Sequence, residues 1–167
     1  MDSVGVRVRL ARRDEWERVR DLRLRSLEDA PEAFGSTVAH ERAHVETEWI
    51  GWIEGWEGAT NVLYVAEAGD AWVGMAVGSR TGDAPSAHLY AMWVDPAWRT
   101  RGVGSSLVQE VLAWARSWDA RWVILGVTET NDGAARFYER LGFADTLKRH
   151  RLREGSELDV RILRRRP

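Results

Sequence analysis

The 167-residue chain contains no cysteine, which excludes a disulfide framework, a cysteine nucleophile and a thiolate metal site. It has no apolar run long enough to span a bilayer, and Met1-Asp2-Ser3 does not begin a signal peptide, so a cytoplasmic location is expected. Its formal net charge of −2 gives no general attraction to nucleic acid or to membranes. The basic cluster at 164–166 is expected to be a solvated tail that follows the last strand.

Composition and hydrophobic periodicity predict a single α/β domain over residues 1–167. The chain is 44% hydrophobic and 30% charged, which is typical of a globular domain. Apolar runs predict seven strands, over residues 4–10, 62–68, 71–79, 88–94, 121–127, 143–147 and 158–163. Helical spacing predicts four helices, over residues 15–28 and 45–56, after Gly104, and over 132–141. The strand-helix-strand order within 88–128 predicts a parallel pair inside a sheet that is otherwise mostly antiparallel.

The most informative segment is LYAMWVDPAWRTRGVGSSL, residues 89–107, which indicates a strand, a turn, an anion-binding loop and a helix. Gly102 and Gly104 allow main-chain N–H groups to approach a ligand, and the helix that follows adds unpaired donors and a positive dipole end. Arg99 and Arg101 add two fixed charges. Such a loop suits a diphosphate.

Spacing excludes two common phosphate-binding loops. A dinucleotide fingerprint requires a third glycine where this chain has Leu107, and no acidic ribose ligand follows at the expected place. A nucleotide P-loop ends in Gly-Lys-Ser/Thr, whereas this chain has Gly104-Ser105-Ser106. The loop therefore belongs to neither class.

The segment resembles the acetyl-CoA loop of the GNAT superfamily of N-acetyltransferases, whose pattern Arg/Gln-x-x-Gly-x-Gly/Ala is met by Arg99, Gly102 and Gly104. VTETNDGAARFYERLGF, residues 127–143, is similar to the second cofactor segment of that family, and Leu22 to Thr37 is similar to its acceptor-side helix and loop. The resemblance implies a mixed α/β fold with a mostly antiparallel sheet of about seven strands and four helices, whose parallel strands splay apart. It implies acetyl-CoA as co-substrate, without a metal.

The resemblance also implies roles for individual residues. Main-chain groups of Trp93 and Val94 would pair with pantetheine, N–H groups from Arg101 to Ser105 would hold the pyrophosphate, and Asn131 would hydrogen-bond the cofactor arm. The implied cofactor-binding residues are Trp93, Val94, Arg99, Thr100, Arg101, Gly102, Val103, Gly104, Ser105, Asn131, Ala135 and Tyr138. Direct transfer in a ternary complex is expected, because the chain lacks cysteine and a Gly-x-Ser-x-Gly elbow.

Tyr138 is the predicted catalytic residue. It follows Asn131 by seven residues, about two helical turns, so both side chains can face one side of the predicted helix. A phenol placed there can protonate the thiolate that leaves when an amine attacks the thioester.

The general base is left open by the sequence. An alkyl ammonium with a pKa of about 10.4 must lose its proton at pH 7, which costs about 4.6 kcal/mol. The candidates are His88, Tyr90, Glu129 and ordered water. His88 and Tyr90 would point to the same side of their strand as Met92 and Val94, and Glu129 follows the next strand. Backbone N–H groups near Val94 would meet the developing oxyanion.

A competing motif is His40-Glu41-Arg42-Ala43-His44, which matches H-E-x-x-H, the helical pattern of zinc hydrolases. Against it, Arg42 lies between the histidines and Glu46 stands where such helices carry an apolar residue. A third hypothesis is a domain that binds acyl-CoA or a partner without turnover.

The acceptor is expected to be a small-molecule or peptide amine, and its identity stays open. Six acidic residues near the predicted acceptor loop favour a cationic amine, namely Glu28, Asp29, Glu32, Glu41, Glu46 and Glu48. Trp49, Trp52 and Trp56 could wall an apolar pocket or a dimer contact, so homodimer formation is also left open.

Overall fold

The computed structural model describes residues 5–167, which form a single seven-stranded sheet in the order β1-β2-β3-β4-β5-β7-β6. The strands are β1 Val6–Leu10, β2 Ala59–Ala68, β3 Ala71–Thr81, β4 Ser86–Val94, β5 Trp122–Thr128, β6 Ala144–Arg151 and β7 Asp159–Arg165. Neighbouring strands are antiparallel except for β4 and β5. The predicted mixed sheet is confirmed. Val4, where the first predicted strand begins, lies outside the described residues.

Five α-helices, rather than the predicted four, lie within the described part of the chain. They are α1 Trp16–Asp29, α2 Val38–Arg42, α3 Glu46–Glu54, α4 Val103–Arg116 and α5 Asp132–Arg140. The additional helix, α2, is too short to give a periodic pattern, and Thr37 caps it by accepting a hydrogen bond from the N–H of His40 at 3.2 Å. No helix in residues 5–167 is long and apolar enough to cross a membrane.

The two faces of the sheet carry separate hydrophobic cores. Helices α4 and α5 cover one face, where the apolar stripe of α4 packs on the central strands, with Leu107, Val108, Val111, Leu112 and Ala115 fully buried. Helices α1 and α3 cover the other face through Val19, Leu22, Leu27, Trp49 and Ile53. We call these the α5 face and the α1 face.

The parallel strands β4 and β5 pair over only three residues. The pairs are Ser86 with Trp122, Ala87 with Val123 and His88 with Ile124. Beyond them β4 and β5 share no further pairs, while β5 continues to pair with β7 as far as Thr128. The splayed pair that the resemblance implies is therefore confirmed, and the opening lies between residues 89–94 and 125–128.

A β-bulge in β4 makes the predicted strand parity wrong. Val77 pairs with Tyr90 and Met75 with Trp93, so two residues, Ala91 and Met92, lie opposite one. Ala91 adopts a left-handed backbone with φ of 51°. Because one extra residue reverses the alternation, Tyr90 packs on the α1 face while Met92 and Val94 pack on the α5 face. A regular alternation carries no sign of this insertion.

Candidate active site

A cavity of about 580 Å³ fills the opening between β4 and β5, and we call it the central cavity. Residues from both faces of the sheet line it. Those on the α5 face include Leu89, Met92, Leu125, Val127, Asn131, Ala134 and Tyr138. Those on the α1 face include Arg23, Phe34, His88, Tyr90, Ile124, Gly126, His150, Leu152, Val160 and Ile162. The cavity can therefore receive one ligand from each face of the sheet.

The loop before α4 has the backbone geometry of an anion site. Thr100 and Gly102 both adopt left-handed conformations, with φ of 62° and 81°. Gly102 is the N-cap of α4 and offers no side-chain acceptor, so the first N–H groups of the helix lack a capping partner. Arg101 is exposed and lies over the Trp98 ring at 5.1 Å. These features fit a diphosphate group.

The Arg99 side chain has its partners outside the anion loop. Its Nη2 forms an ion pair with Asp29, the last residue of α1, and its Nε donates to Val94 O at 3.0 Å. The Nε1 of Trp93 donates to the same Asp29 carboxylate at 2.9 Å. In this structure Arg99 therefore connects α1 to the end of β4.

Gly104 and Ala135 occupy packing positions. Gly104 has an ordinary helical backbone, and an added Cβ would lie 2.9 Å from Met92 Cε and 3.2 Å from the Phe137 ring. Close helix packing, rather than an unusual φ, explains this glycine. Ala135 is buried in the core, and its neighbour Ala134 lines the central cavity instead. Val103 is also buried.

Helix α5 brings Asn131 and Tyr138 to the central cavity. Asn131 is the N-cap, and its Oδ1 accepts from the N–H of Ala134 at 3.1 Å, which leaves its Nδ2 to serve another partner. The Tyr138 ring packs against Phe137 and Phe143, at centroid distances of 5.0 and 5.7 Å. Burial raises the pKa of Tyr138 well above its ordinary value, so its phenol keeps its proton at neutral pH.

Two of the candidate bases are unsuited to accept a proton. Burial raises the pKa of Tyr90 to about 12, so this phenol is a proton donor at pH 7. Glu129 is not among the lining residues of the central cavity, and its Oε1 accepts from Arg149 Nε at 2.5 Å.

Two histidines, His88 and His150, line the α1 side of the central cavity. Loss of surrounding water lowers the pKa of His88 although the residue is exposed, so the neutral imidazole predominates at pH 7. The Nδ1 of His150 lies 2.8 Å from Arg151 O, and since a carbonyl only accepts, Nδ1 carries a proton. Sequence reasoning missed His150, because it reaches the cavity only through the strand order β5-β7-β6.

A buried ion pair on the α1 side was also missed from the sequence. Arg23 of α1 donates from Nε and Nη2 to the two carboxylate oxygens of Glu41 in α2, each at 2.8 Å. The exposed fractions of these side chains are 4% and 2%. Arg23 looks like one of several solvated arginines in the sequence of α1, and its partner lies in the helix that periodicity did not reveal.

This ion pair also bears on the H-E-x-x-H hypothesis. Glu41 is the glutamate that would act as general base in such a site, and both of its oxygens are occupied by Arg23. Helix α2 ends at Arg42, so His44 lies beyond it and packs against the rings of His40 and Trp49, each at 5.3 Å. Within residues 5–167 no group of three His, Asp or Glu side chains is placed to hold a metal ion.

Most acidic residues of the acceptor region have partners within the protein. Besides Glu41 and Asp29, Glu28 pairs with Arg42 and Glu48 lies 3.6 Å from His44 Nδ1. Glu32 and Glu46 are exposed. The field of these carboxylates on an acceptor is therefore weaker than their number in the sequence indicates.

Comparison with known proteins identifies the class of fold and then the family. The structure aligns with that of yncA from Salmonella typhimurium, solved with its cofactor acetyl-CoA, over 97% of this chain and 94% of the other, with a TM-score of 0.74 and 19% identity. The model of the acetyltransferase (GNAT) family matches residues 16–143. This chain belongs to the GNAT family.

Relatives in sequence carry acetyltransferase names. The chain is 35% identical over 102 residues to the N-alpha-acetyltransferase RimI of Mycobacterium tuberculosis, covering 60% of this chain and 63% of the relative. It is 40% identical over 60 residues to the mycothiol acetyltransferase of Nocardiopsis dassonvillei, covering 36% and 18%. The chain spans between 18% and 63% of the length of the first curated relatives that it matches.

Proposed function

We propose that the chain is an acetyl-CoA-dependent N-acetyltransferase that moves the acetyl group directly to a primary amine in a ternary complex. The central cavity carries this proposal, because residues from both faces of the sheet line it and Asn131 and Tyr138 of α5 are among them. A single domain over residues 1–167, working in the cytoplasm without a metal, is part of the proposal.

The residues around the cavity fit acetyl-CoA, which would supply the acetyl thioester. The uncapped N–H groups at the start of α4, from Arg101 to Ser105, would hold the diphosphate. Trp93 and Val94 would offer main-chain groups at the open edge of β4, and Asn131 Nδ2 would donate to the cofactor arm. Arg101 would add an exposed positive charge beside the diphosphate.

Tyr138 and His88 would move the protons. Tyr138 would hold a proton at its hydroxyl toward the leaving sulfur, and its raised pKa keeps that proton available at pH 7. His88 would accept the proton of the amine from the α1 side, and its lowered pKa keeps the ring neutral. The bulge at Ala91 and Met92 interrupts the ladder with β3, which favours main-chain groups there or at Val94 for the developing oxyanion.

The acceptor would enter from the α1 side, where Phe34, His150 and Leu152 line the cavity. A primary amine reaches this side as an ammonium cation and must lose a proton before attack. The relative named N-alpha-acetyltransferase supports a peptide amine among the candidates.

Calorimetric titration of acetyl-CoA into chelator-treated protein tests the proposal, followed by thiol release with a panel of amines. Stoichiometric binding at micromolar concentration and amine-dependent thiol release are expected. Binding without thiol release for any amine would favour the non-catalytic hypothesis. The absence of binding would overturn the proposed function.

A further inference from the structure

The α1 face of the sheet is only half covered by helices. The buried core beneath α1 and α3 contains residues of β2, β3 and β4 and none of β5, β6 or β7. On the uncovered half, Trp122 and Ile124 of β5 are half-buried, while Arg164 and Arg166 of β7 are exposed. These four side chains share one face, because the residue between the members of each pair packs on the α5 side.

The pairing register connects this uncovered surface to the proposed base. His88 lies opposite Ile124, and Ile124 lies opposite Arg164. Since neighbouring strands are about 4.8 Å apart, the Cα atoms of His88 and Arg164 are about 10 Å apart along this row. His88 and Ile124 line the central cavity, and Arg164 does not. The row therefore runs from the cavity out to an exposed cation.

Two guanidinium groups of β7 lie on one indole ring beside the cavity. The Cζ atom of Arg164 is 4.1 Å from the centre of the Trp122 ring, and that of Arg166 is 5.4 Å from the same centre. Neither arginine has an ion-pair partner within residues 5–167. A guanidinium on an aromatic ring can still donate from its N–H groups to a carboxylate or a phosphate. An anion placed here would also relieve the repulsion between the two charges.

We propose that Arg164, assisted by Arg166, binds a carboxylate or phosphate that the acceptor carries about 10 Å from its reactive amine. The inference rests on the proposed transferase function and names its substrate class as amines with a remote anionic group. The amine would lie at His88, and the rest of the acceptor would cross Ile124 to reach Trp122. Several carboxylates of the acceptor region already pair with arginines of the protein, so their repulsion of such an anion is weak.

Matched acceptors test this inference on the wild-type protein. In 8-aminooctanoate eight bonds separate the amine nitrogen from the carboxylate carbon, which span about 10 Å when extended, and 8-aminooctanamide is its neutral match. We expect the carboxylate to exceed the amide about fivefold in kcat/KM, expressed per unprotonated amine. 4-Aminobutanoate is too short to reach Arg164 and should exceed its amide less than about twofold. Because the site is exposed, about 1 M salt should remove most of the fivefold preference.

Two further arms distinguish the sources of the anion. The compound 7-aminoheptyl phosphate carries a phosphate at a similar distance, and a larger preference for it than for the carboxylate would identify a phosphorylated acceptor. For a peptide source, the amidated peptides Ala-Ala-Ala-Asp and Ala-Ala-Ala-Asn are compared, since three residues of extended chain also span about 10 Å. A larger effect of the charge in this pair than in the aminooctanoate pair would identify an acidic peptide.

Reversal of one charge separates a specific contact from the net charge of the protein. Arg164→Glu should abolish the preference for 8-aminooctanoate over its amide and should favour 1,8-diaminooctane over 1-aminooctane instead. Arg7→Glu is the matched control, because Arg7 is an exposed arginine on β1, at the opposite edge of the sheet, and it should keep the wild-type preference. Unchanged calorimetric affinity for acetyl-CoA shows that each variant is folded.

The outcomes distinguish this inference from the proposed function. A protein that does not bind acetyl-CoA overturns the transferase proposal. A protein that binds acetyl-CoA, but acetylates and binds 8-aminooctanoate no better than 8-aminooctanamide, overturns only the anion site. Retention of the preference by Arg164→Glu would exclude Arg164, and the wild-type comparison decides the matter if that variant fails to fold. A wild-type dimer that Arg164→Glu dissociates in sedimentation velocity would assign this face to a second copy and would overturn the proposal.

Discussion

Desolvation acts in opposite directions on the two side chains that we assign to proton transfer. It raises the pKa of Tyr138 and lowers that of His88, because burial disfavours the anionic phenolate and the cationic imidazolium alike. Both side chains are therefore shifted toward their neutral forms, which are a donor and an acceptor. The proposed acid and base would thus both be neutral at pH 7, without a charged partner for either.

Substitution Tyr138→Phe should lower kcat by about 10²-fold or more while leaving the affinity for acetyl-CoA unchanged. The ring and its packing on Phe143 are retained, and only the proton donor is lost. Thiol release and calorimetric binding measure the two quantities. Tyr64→Phe is the matched control, since Tyr64 is buried in the same core but does not line the cavity, and it should keep the wild-type rate. Equal rates for Tyr138→Phe and wild type would remove Tyr138 from the mechanism.

His88 should determine the acidic limb of the pH profile of kcat/KM. Only the neutral ring accepts a proton, so activity should fall as the pH drops through the His88 pKa, and the lowered pKa moves this limb below the ordinary histidine value. His88→Gln should lower kcat/KM about 10²-fold and abolish that limb. His40→Gln, a substitution outside the cavity, should retain both the wild-type kcat/KM and the acidic limb of the pH profile. Loss of the limb in His150→Gln but not in His88→Gln would assign the base to His150.

At the scale of single elements, β4 has two interruptions in its pairing that determine the site. Its hydrogen bonds to β5 end at His88, and its bulge at Ala91 follows three residues later. The first feature opens the cavity and the second sends Tyr90 and Met92 to opposite faces. Both the position of Tyr90 on the α1 side and that of Met92 on the α5 side depend on this short stretch.

In the loop before α4, the effect of backbone strain on stability can be separated from the effect on acetyl-CoA binding. Gly102→Ala should weaken acetyl-CoA binding about tenfold, because a Cβ disfavours the left-handed backbone that directs the N–H groups. Gly58→Ala is a close control, with φ of 78° against 81° and no neighbouring atom within 4 Å at either site. Both variants should lose about 1 kcal/mol of stability in urea unfolding. Equal loss of affinity in the two variants would contradict the assignment of this loop to the diphosphate.

At the scale of the whole molecule, the sequence predicted features that depend on neighbouring residues better than features that depend on contacts between distant parts of the chain. The strand order around 88–128 and the strand-loop-helix arrangement before α4 were predictable because each is encoded in consecutive residues. The bulge at Ala91, the short helix α2 and the placement of His150 were not, because each depends on pairing between distant strands or on tertiary packing. Arg23 belongs to the second group, since only the fold shows that Glu41 neutralises it and that one nitrogen remains unused.

The two halves of the sheet are joined at the cavity by only three β4–β5 pairs, so a ligand that bridges these strands should stabilise the whole protein. At acetyl-CoA concentrations about 100-fold above Kd, linkage predicts about 2.7 kcal/mol of added stability and a Tm rise of roughly 5–10 °C. Differential scanning calorimetry measures this shift, and Gly102→Ala should need a higher concentration to reach it. Hydrogen exchange then locates the ligand, with slower exchange expected at residues 91–94, 101–106 and 125–128. Protection confined to the paired strands β1 and β2 would contradict the cavity as the binding site.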